Sequence, residues 1–167
     1  TVRPQPWVSL DGGNVVNNST TAFVGQDSLT NTEKLLRERG SETLAITQLE
    51  TVLGKTVVVL PQAAFHLDLF CTPLGERKML VGDPRLALDL LASLSVEQRA
   101  EVEIALASQA QVKPEGLLAR YTGAGQAEFD QAAAQLIDLG YEVERVPCLL
   151  PAERGDPTLS YNNVLIE

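Results

Sequence analysis

Three stretches of the sequence repeat one order of residue types, and this repetition constrains the fold more than any other feature. In the first, Leu10-Asp11-Gly12-Gly13-Asn14-Val15-Val16 precedes Thr21-Ala22-Phe23-Val24-Gly25-Gln26-Asp27 and a helical segment. In the second, His66-Leu67-Asp68-Leu69-Phe70-Cys71-Thr72 precedes Lys78-Met79-Leu80-Val81-Gly82-Asp83-Pro84 and another helical segment. Each reads as a polar strand, a hairpin, an apolar strand ending in Val-Gly, and a helix. The lead-in strand repeats too, because Val58-Val59-Leu60-Pro61 before the second stretch resembles Glu144-Arg145-Val146-Pro147 before the third. The third stretch, Ser160-Tyr161-Asn162-Asn163-Val164-Leu165-Ile166, lacks its second hairpin strand and its helix. A chain that stops inside a structural unit leaves a sheet edge unpaired, so a fragment is the expectation. Alternating hairpins and helices imply α/β units around an axis, each turning one polar strand inward toward a central site.

Local signals place the elements. A capping-box pattern at Thr30-Asn31-Thr32-Glu33 predicts a helix ending at Gly40, and a second helix is expected from Ser41 to Gly54 with Leu44, Ala45, Leu49, Val52 and Leu53 on one face. The β-branched run Thr56–Leu60 predicts a buried strand stopped by Pro61. Strands at His66–Thr72 and Lys78–Val81 form a hairpin turning at Pro73-Leu74-Gly75-Glu76. Asp83 with Pro84 opens a helix buried along Leu86, Leu90 and Leu94, and Ser95 with Gln98 opens another reaching about Ala110. A strand is expected at Leu117–Tyr121 and a helix buried along Phe129, Ala133, Leu136 and Ile137, stopped by Gly140. Strands at Tyr141–Val146 and Leu159–Ile166 close the chain.

Composition narrows the function classes. The chain has 167 residues, enough for a single domain with its own core. Thirteen Lys and Arg against twenty-two Asp and Glu give a net charge of −9, the wrong sign for tracking a phosphate backbone, so nucleic acid is not an expected partner. An acidic surface attracts a cationic ligand, but acidity equally serves only to keep a protein dispersed. No apolar run is long enough to span a membrane and the first residues lack the layout of a secretory signal, so no membrane partner and a cytoplasmic location are expected. Cys71 and Cys148 stand in apolar contexts without metal-ligand spacing and read as buried thiols.

Alternation along the strand expected at His66–Thr72 puts His66, Asp68, Phe70 and Thr72 on one face and Leu67, Leu69 and Cys71 on the other. An imidazole beside a carboxylate can exchange a proton near neutrality while the carboxylate holds a cation. The same pair also fits the exposed face of a half-buried strand, or two metal ligands, although no further ligand with suitable spacing appears. Asp11-Gly12-Gly13-Asn14 has two readings as well. It is ordinary turn chemistry, or it is a close-approach element whose Asp11 carboxylate braces His66.

Taken in order, Asp11-Gly12-Gly13-Asn14, Val59-Leu60-Pro61, His66-Leu67-Asp68, Thr72-Pro73-Leu74-Gly75, Val81-Gly82-Asp83-Pro84 and Tyr161-Asn162-Asn163 resemble the pentein superfamily of guanidino-group-modifying enzymes. Arginine deiminases, dimethylarginine dimethylaminohydrolases, agmatine and peptidylarginine deiminases and amidinotransferases belong to it. The resemblance runs from about Val8 to Ile166 and implies a five-bladed α/β propeller of ββαβ units, of which residues 1–167 would supply about three as one domain truncated at both ends. It implies that His66 is the catalytic proton carrier, that Asp68 grips the guanidinium of an arginine-like substrate, that Asp11 orients His66, and that Asn163 lies near the substrate. It also implies nucleophilic attack by a cysteine thiolate with no metal or organic cofactor.

The sequence departs from the family pattern in two places. The family's nucleophile lies beyond the strand matched by Tyr161-Asn162-Asn163, and neither Cys71 nor Cys148 is expected to replace it. The second guanidinium-binding carboxylate lies upstream of the Gly-Gly element. The expectation is therefore a fragment of an amidinohydrolase of deiminase type, or of an amidinotransferase, inactive by itself and prone to homo-oligomerise through exposed apolar edges. The alternative is a non-catalytic binding or interaction protein of the same fold.

Overall fold

The computed structural model describes residues 7–111, 113–150 and 159–160. A short 3₁₀ turn, Gly12–Asn14, leads into β1 (Val15–Asn17), which pairs antiparallel with β2 (Thr21–Gly25), Val16 facing Phe23. Helices α1 (Gln26–Glu38) and α2 (Ala45–Leu53) then return the chain to β3 (Thr56–Leu60), parallel to β2 with Phe23 opposite Val58. Parallel neighbours need such a crossover, because a tight turn can only reverse the chain.

The second sheet begins with β4 (Cys71–Leu74) and β5 (Lys78–Asp83), paired antiparallel with Thr72 opposite Leu80. Helices α3 (Pro84–Ser93), α4 (Val96–Ala110) and α5 (Gln126–Asp138) precede β6 (Glu142–Leu149), parallel to β5 with Leu80 opposite Glu144. Strand β7 (Leu159–Ser160) pairs antiparallel with β6. The rest of the expected closing strand, Asn163 included, lies outside the described residues.

One buried cluster spans both sheets. It holds Phe23 and Leu60 from the first and Phe70, Met79, Val81 and Phe129 from the second half. Phe70 and Phe129 meet edge to face at 5.1 Å, and Phe23 meets Tyr141 in the same way at 5.4 Å. Gly82 is bare because a Cβ there would come 2.6 Å from the Phe129 ring and 2.8 Å from Cβ of Cys148. Beside this core, Asp83 caps α3 by accepting from the Arg85 amide at 2.9 Å. It also pairs with Arg145 at 3.2 Å, and Arg145 reaches Asp130 on α5 at 2.8 Å. Burial raises the Asp130 pKa, but hydrogen bonds from Arg145 and Gln126, with the two arginine charges, outweigh it and hold the carboxyl below its usual range.

Several expected boundaries move. Helix α1 starts at Gln26, one turn before the capping-box pattern, because the Gln62 side chain accepts from the Asp27 amide at 2.9 Å and so supplies the cap from outside. Thr32 is buried mid-helix, where its hydroxyl accepts from the Ser9 amide at 3.1 Å. Helix α2 starts at Ala45, so Leu44 lies outside it and is 71% exposed; Val52 is exposed too, and Ala45 and Leu49 carry the burial. In α3 the buried residues are Pro84 and Ala87, with Leu88 and Leu91 packed beside Ala87, while Leu86 and Leu90 are exposed. Leu117–Tyr121 is a 3₁₀ turn at Leu118–Arg120 rather than a strand, anchored by buried Leu117 and Tyr121. Ile137 is 57% exposed and Ala132 takes its expected place in the core. Pro73 and Leu74 belong to β4, leaving Gly75 at φ 74° to make the turn. Strand β6 begins one residue later and runs three further than expected, to Leu149.

Candidate active site

The segment expected to be a strand from His66 is irregular until Cys71. Leu67 and Phe70 are both fully buried, a spacing of three that a strand cannot place on one face. The backbone turns instead, with the amides of Phe70 and Cys71 both donating to the Leu67 carbonyl at 3.1 and 2.9 Å. The proposed shared face of His66, Asp68, Phe70 and Thr72 therefore does not exist.

His66 is nevertheless brought to Asp11. Asp11 caps the Gly12–Asn14 turn by accepting from the Gly13 amide at 3.2 Å, the local hydrogen bond that makes Asp favourable at such a position. The same oxygen lies 3.1 Å from His66 Nε2, with side-chain exposures of 28% for His66 and 65% for Asp11. The hydrogen bond from His66, then that from Gly13, lowers the Asp11 pKa. A carboxylate can only accept, so Nε2 carries the proton in this contact and Nδ1 is the nitrogen left for exchange.

Gly13 supports the imidazole from below. A Cβ on Gly13 would stand 2.3 Å from His66 Nδ1, whereas one on Gly12 would meet nothing within 4 Å. The two glycines thus have different jobs, and only Gly13 is required for close approach. Its carbonyl also accepts from the Asp68 amide at 2.9 Å, lacing the two loops together. Phe65 lies against the His66 ring at 4.5 Å between centroids.

Among the described residues, Asp68 Oδ1 is buried without a hydrogen-bonding partner. An unsatisfied buried carboxylate oxygen is costly, and a cationic donor would relieve it. Asn14, also buried, has no partner for its Oδ1 among the described residues, while its Nδ2 donates to Gln62 at 3.3 Å. Next to this element, Ser9, Asp11, Asn14, Asp27, Asn31 and Phe65 help to line a polar cleft of about 300 Å³.

Both cysteines are buried thiols. Burial pushes the Cys71 thiol up to about 12, and Cys148 Sγ donates to the Leu69 carbonyl at 3.7 Å. No group of three or more His, Cys, Asp or Glu residues suited to a metal occurs among the described residues. No helix among them is long and apolar enough to cross a membrane. Gln62 had no sequence signal beyond its place after Pro61, and its part in the site emerges only in three dimensions.

No protein-family model matches the sequence, and no curated protein matches it. Solved structures do match the fold. The C. jejuni agmatine deiminase superposes on 92% of this chain with a TM-score of 0.52 at 14% identity, and its substrate-bound cysteine-to-serine variant on 90% with a TM-score of 0.52 at 12% identity. The DDAH of Pseudomonas aeruginosa, a cysteine-to-serine mutant complexed with citrulline, shows a looser likeness, with a TM-score of 0.32 at 14% identity over 86% of this chain and 51% of its own. Over the described residues the likeness is one of fold, an α/β arrangement shared with part of the C. jejuni enzyme. The chain spans 38% of the length of the C. jejuni enzyme.

Proposed function

We propose that this chain contributes the proton-carrying and cation-binding part of a guanidino-group site in a deiminase-type hydrolase. The observation that carries the proposal is the buried Oδ1 of Asp68, without a hydrogen-bonding partner among the described residues, on the segment that also holds His66 against Asp11. A guanidinium offers paired N–H donors in a fixed fork, which suits a carboxylate with one buried oxygen left without a donor among the described residues. In this reading Asp68 holds the guanidinium, His66 moves the proton needed by the departing amine and by the entering water, and Asp11 fixes the imidazole. Asn163 is assigned to the substrate's surroundings. The repeated ββαβ units belong to a five-bladed propeller, and the thiolate comes from outside this chain.

The burial of both thiols favours one second reading, a chain that binds guanidino compounds without turning them over. The deciding assay follows ammonia and ureido product from arginine, agmatine, methylated arginine and peptidyl-arginine, using the full protein that carries this chain. Turnover that falls at least a hundredfold in both His66→Ala and Asp68→Ala supports the hydrolase, in line with the usual weight of a proton-transfer group. Turnover unchanged in both variants refutes it.

A further inference from the structure

We infer that Gln62 is a positioning residue for His66: its one side-chain amide ties the start of α1, the Asp11–Asn14 element and the backbone beside the imidazole into a single unit. Calling His66 the proton carrier rests on the function proposed above, but the placement does not. Gln62 Oε1 accepts from the Asp27 amide at 2.9 Å and from Asn14 Nδ2 at 3.3 Å. Gln62 Nε2 donates to the Phe65 carbonyl at 2.9 Å, one residue before His66. The donor half of the amide therefore faces the histidine loop, and the acceptor half faces the helix and the Asp-Gly-Gly-Asn turn.

Gly25 gives independent support. Its φ of −68° is open to any residue, so the absence of a side chain there answers a need for space rather than for backbone freedom. A Cβ on Gly25 would lie 2.2 Å from Asn14 Oδ1 and 2.5 Å from Gln62 Oε1. The bare Cα lets the two amides close over the end of β2. With Gly13 beneath the imidazole and the Gly13 carbonyl holding the Asp68 amide, the His66 loop is fixed from both sides. Such support decides whether a reacting group stays within the fraction of an ångström that proton transfer needs.

Because the chain has one histidine, its ring signals need no assignment against others. The test compares Gln62→Glu and Gln62→Met with the unaltered chain by NMR. It reads the cross-relaxation between the His66 ring and the Gly13 Hα protons, the exchange protection of the α1 amides, and the thermal midpoint. Gln62→Glu keeps the acceptor for Asp27 and Asn14 but cannot donate to the Phe65 carbonyl. The expected result is loss of the ring-to-Gly13 signal with α1 protection unchanged; Gln62→Met should lose both. In the unaltered chain the ring signal should also follow the titration of Asp11 below the ordinary value of about 3.9, and in Gln62→Met that inflection should rise part of the way toward it, because the Gly13 amide still donates to Asp11. If Gln62→Met does not fold, Gln62→Glu alone decides. A ring-to-Gly13 signal that survives in Gln62→Glu, or that weakens only in step with α1 protection, overturns the inference and leaves Gln62 as a helix cap. Neither outcome depends on whether a guanidino compound binds.

Discussion

At the scale of single residues, the two adjacent glycines make the sharpest contrast. Gly13→Ala would drive a Cβ into the His66 ring at 2.3 Å, whereas Gly12→Ala enters open space, and neither glycine has positive φ. Gly13→Ala should therefore displace the imidazole and lower stability by roughly 1–3 kcal/mol, as overpacking does. Gly12→Ala should stay within about 0.5 kcal/mol of the unaltered chain. Urea unfolding of the pair, with the His66 ring signal read alongside, checks both. Equal effects at the two positions would contradict the account. Asp11 belongs to the same scale: its lowered pKa follows from the bonds given by His66 and Gly13.

At the scale of elements, α3 and β6 depend on one carboxylate. Asp83 caps α3 and holds Arg145, which also donates to the Gly82 carbonyl at 2.9 Å. Asp83→Ala removes a cap worth about 1 kcal/mol and one of the three partners of a mostly buried guanidinium. The loss should exceed the cap alone and reach about 2–4 kcal/mol. Asp83→Asn, which can still accept from the Arg85 amide, should lose less, and chemical denaturation of both variants measures the difference. Elements with purely local causes were legible in the sequence. The Thr56–Leu60 strand, the Asp83-Pro84 helix start, the Ser95–Gln98 capping box and the Gly54 stop all appear as read. What was not legible had long-range causes. The true start of α1 depends on Gln62, thirty-five positions away from Asp27, and the turn at 66–70 depends on a core that claims both Leu67 and Phe70. The Asp11 and His66 contact was anticipated from the matching place of the two motifs, yet the strand invoked to display His66 and Asp68 is absent.

At the scale of the whole molecule, acid should weaken the fold in a definite window. Asp130 and Asp11 both have lowered pKa values in the folded chain. Their contribution is fully present above the unfolded value of about 3.9 and is lost as pH falls through the lowered folded values. The thermal midpoint should therefore hold near pH 5 and drop below about pH 4. Asp130→Asn should flatten that drop, since Arg85 and Arg145 then meet a group that does not titrate. An identical drop in the variant would show that the Asp130 network is not its source. The core common to both sheets predicts one cooperative transition in the same experiment.

The proposed function requires Asp68, two residues from the braced His66, to receive a guanidinium. It is tested most directly by titrating agmatine, arginine and a neutral urea analogue into the chain while following the single imidazole by NMR, in the unaltered protein and in Asp68→Ala. The expected result is a saturable shift with one of the guanidino compounds, none with the urea, and binding weakened roughly 10- to 100-fold in Asp68→Ala, the weight of a charged hydrogen bond. No shift with any guanidino compound, or an equal affinity in Asp68→Ala, would contradict it.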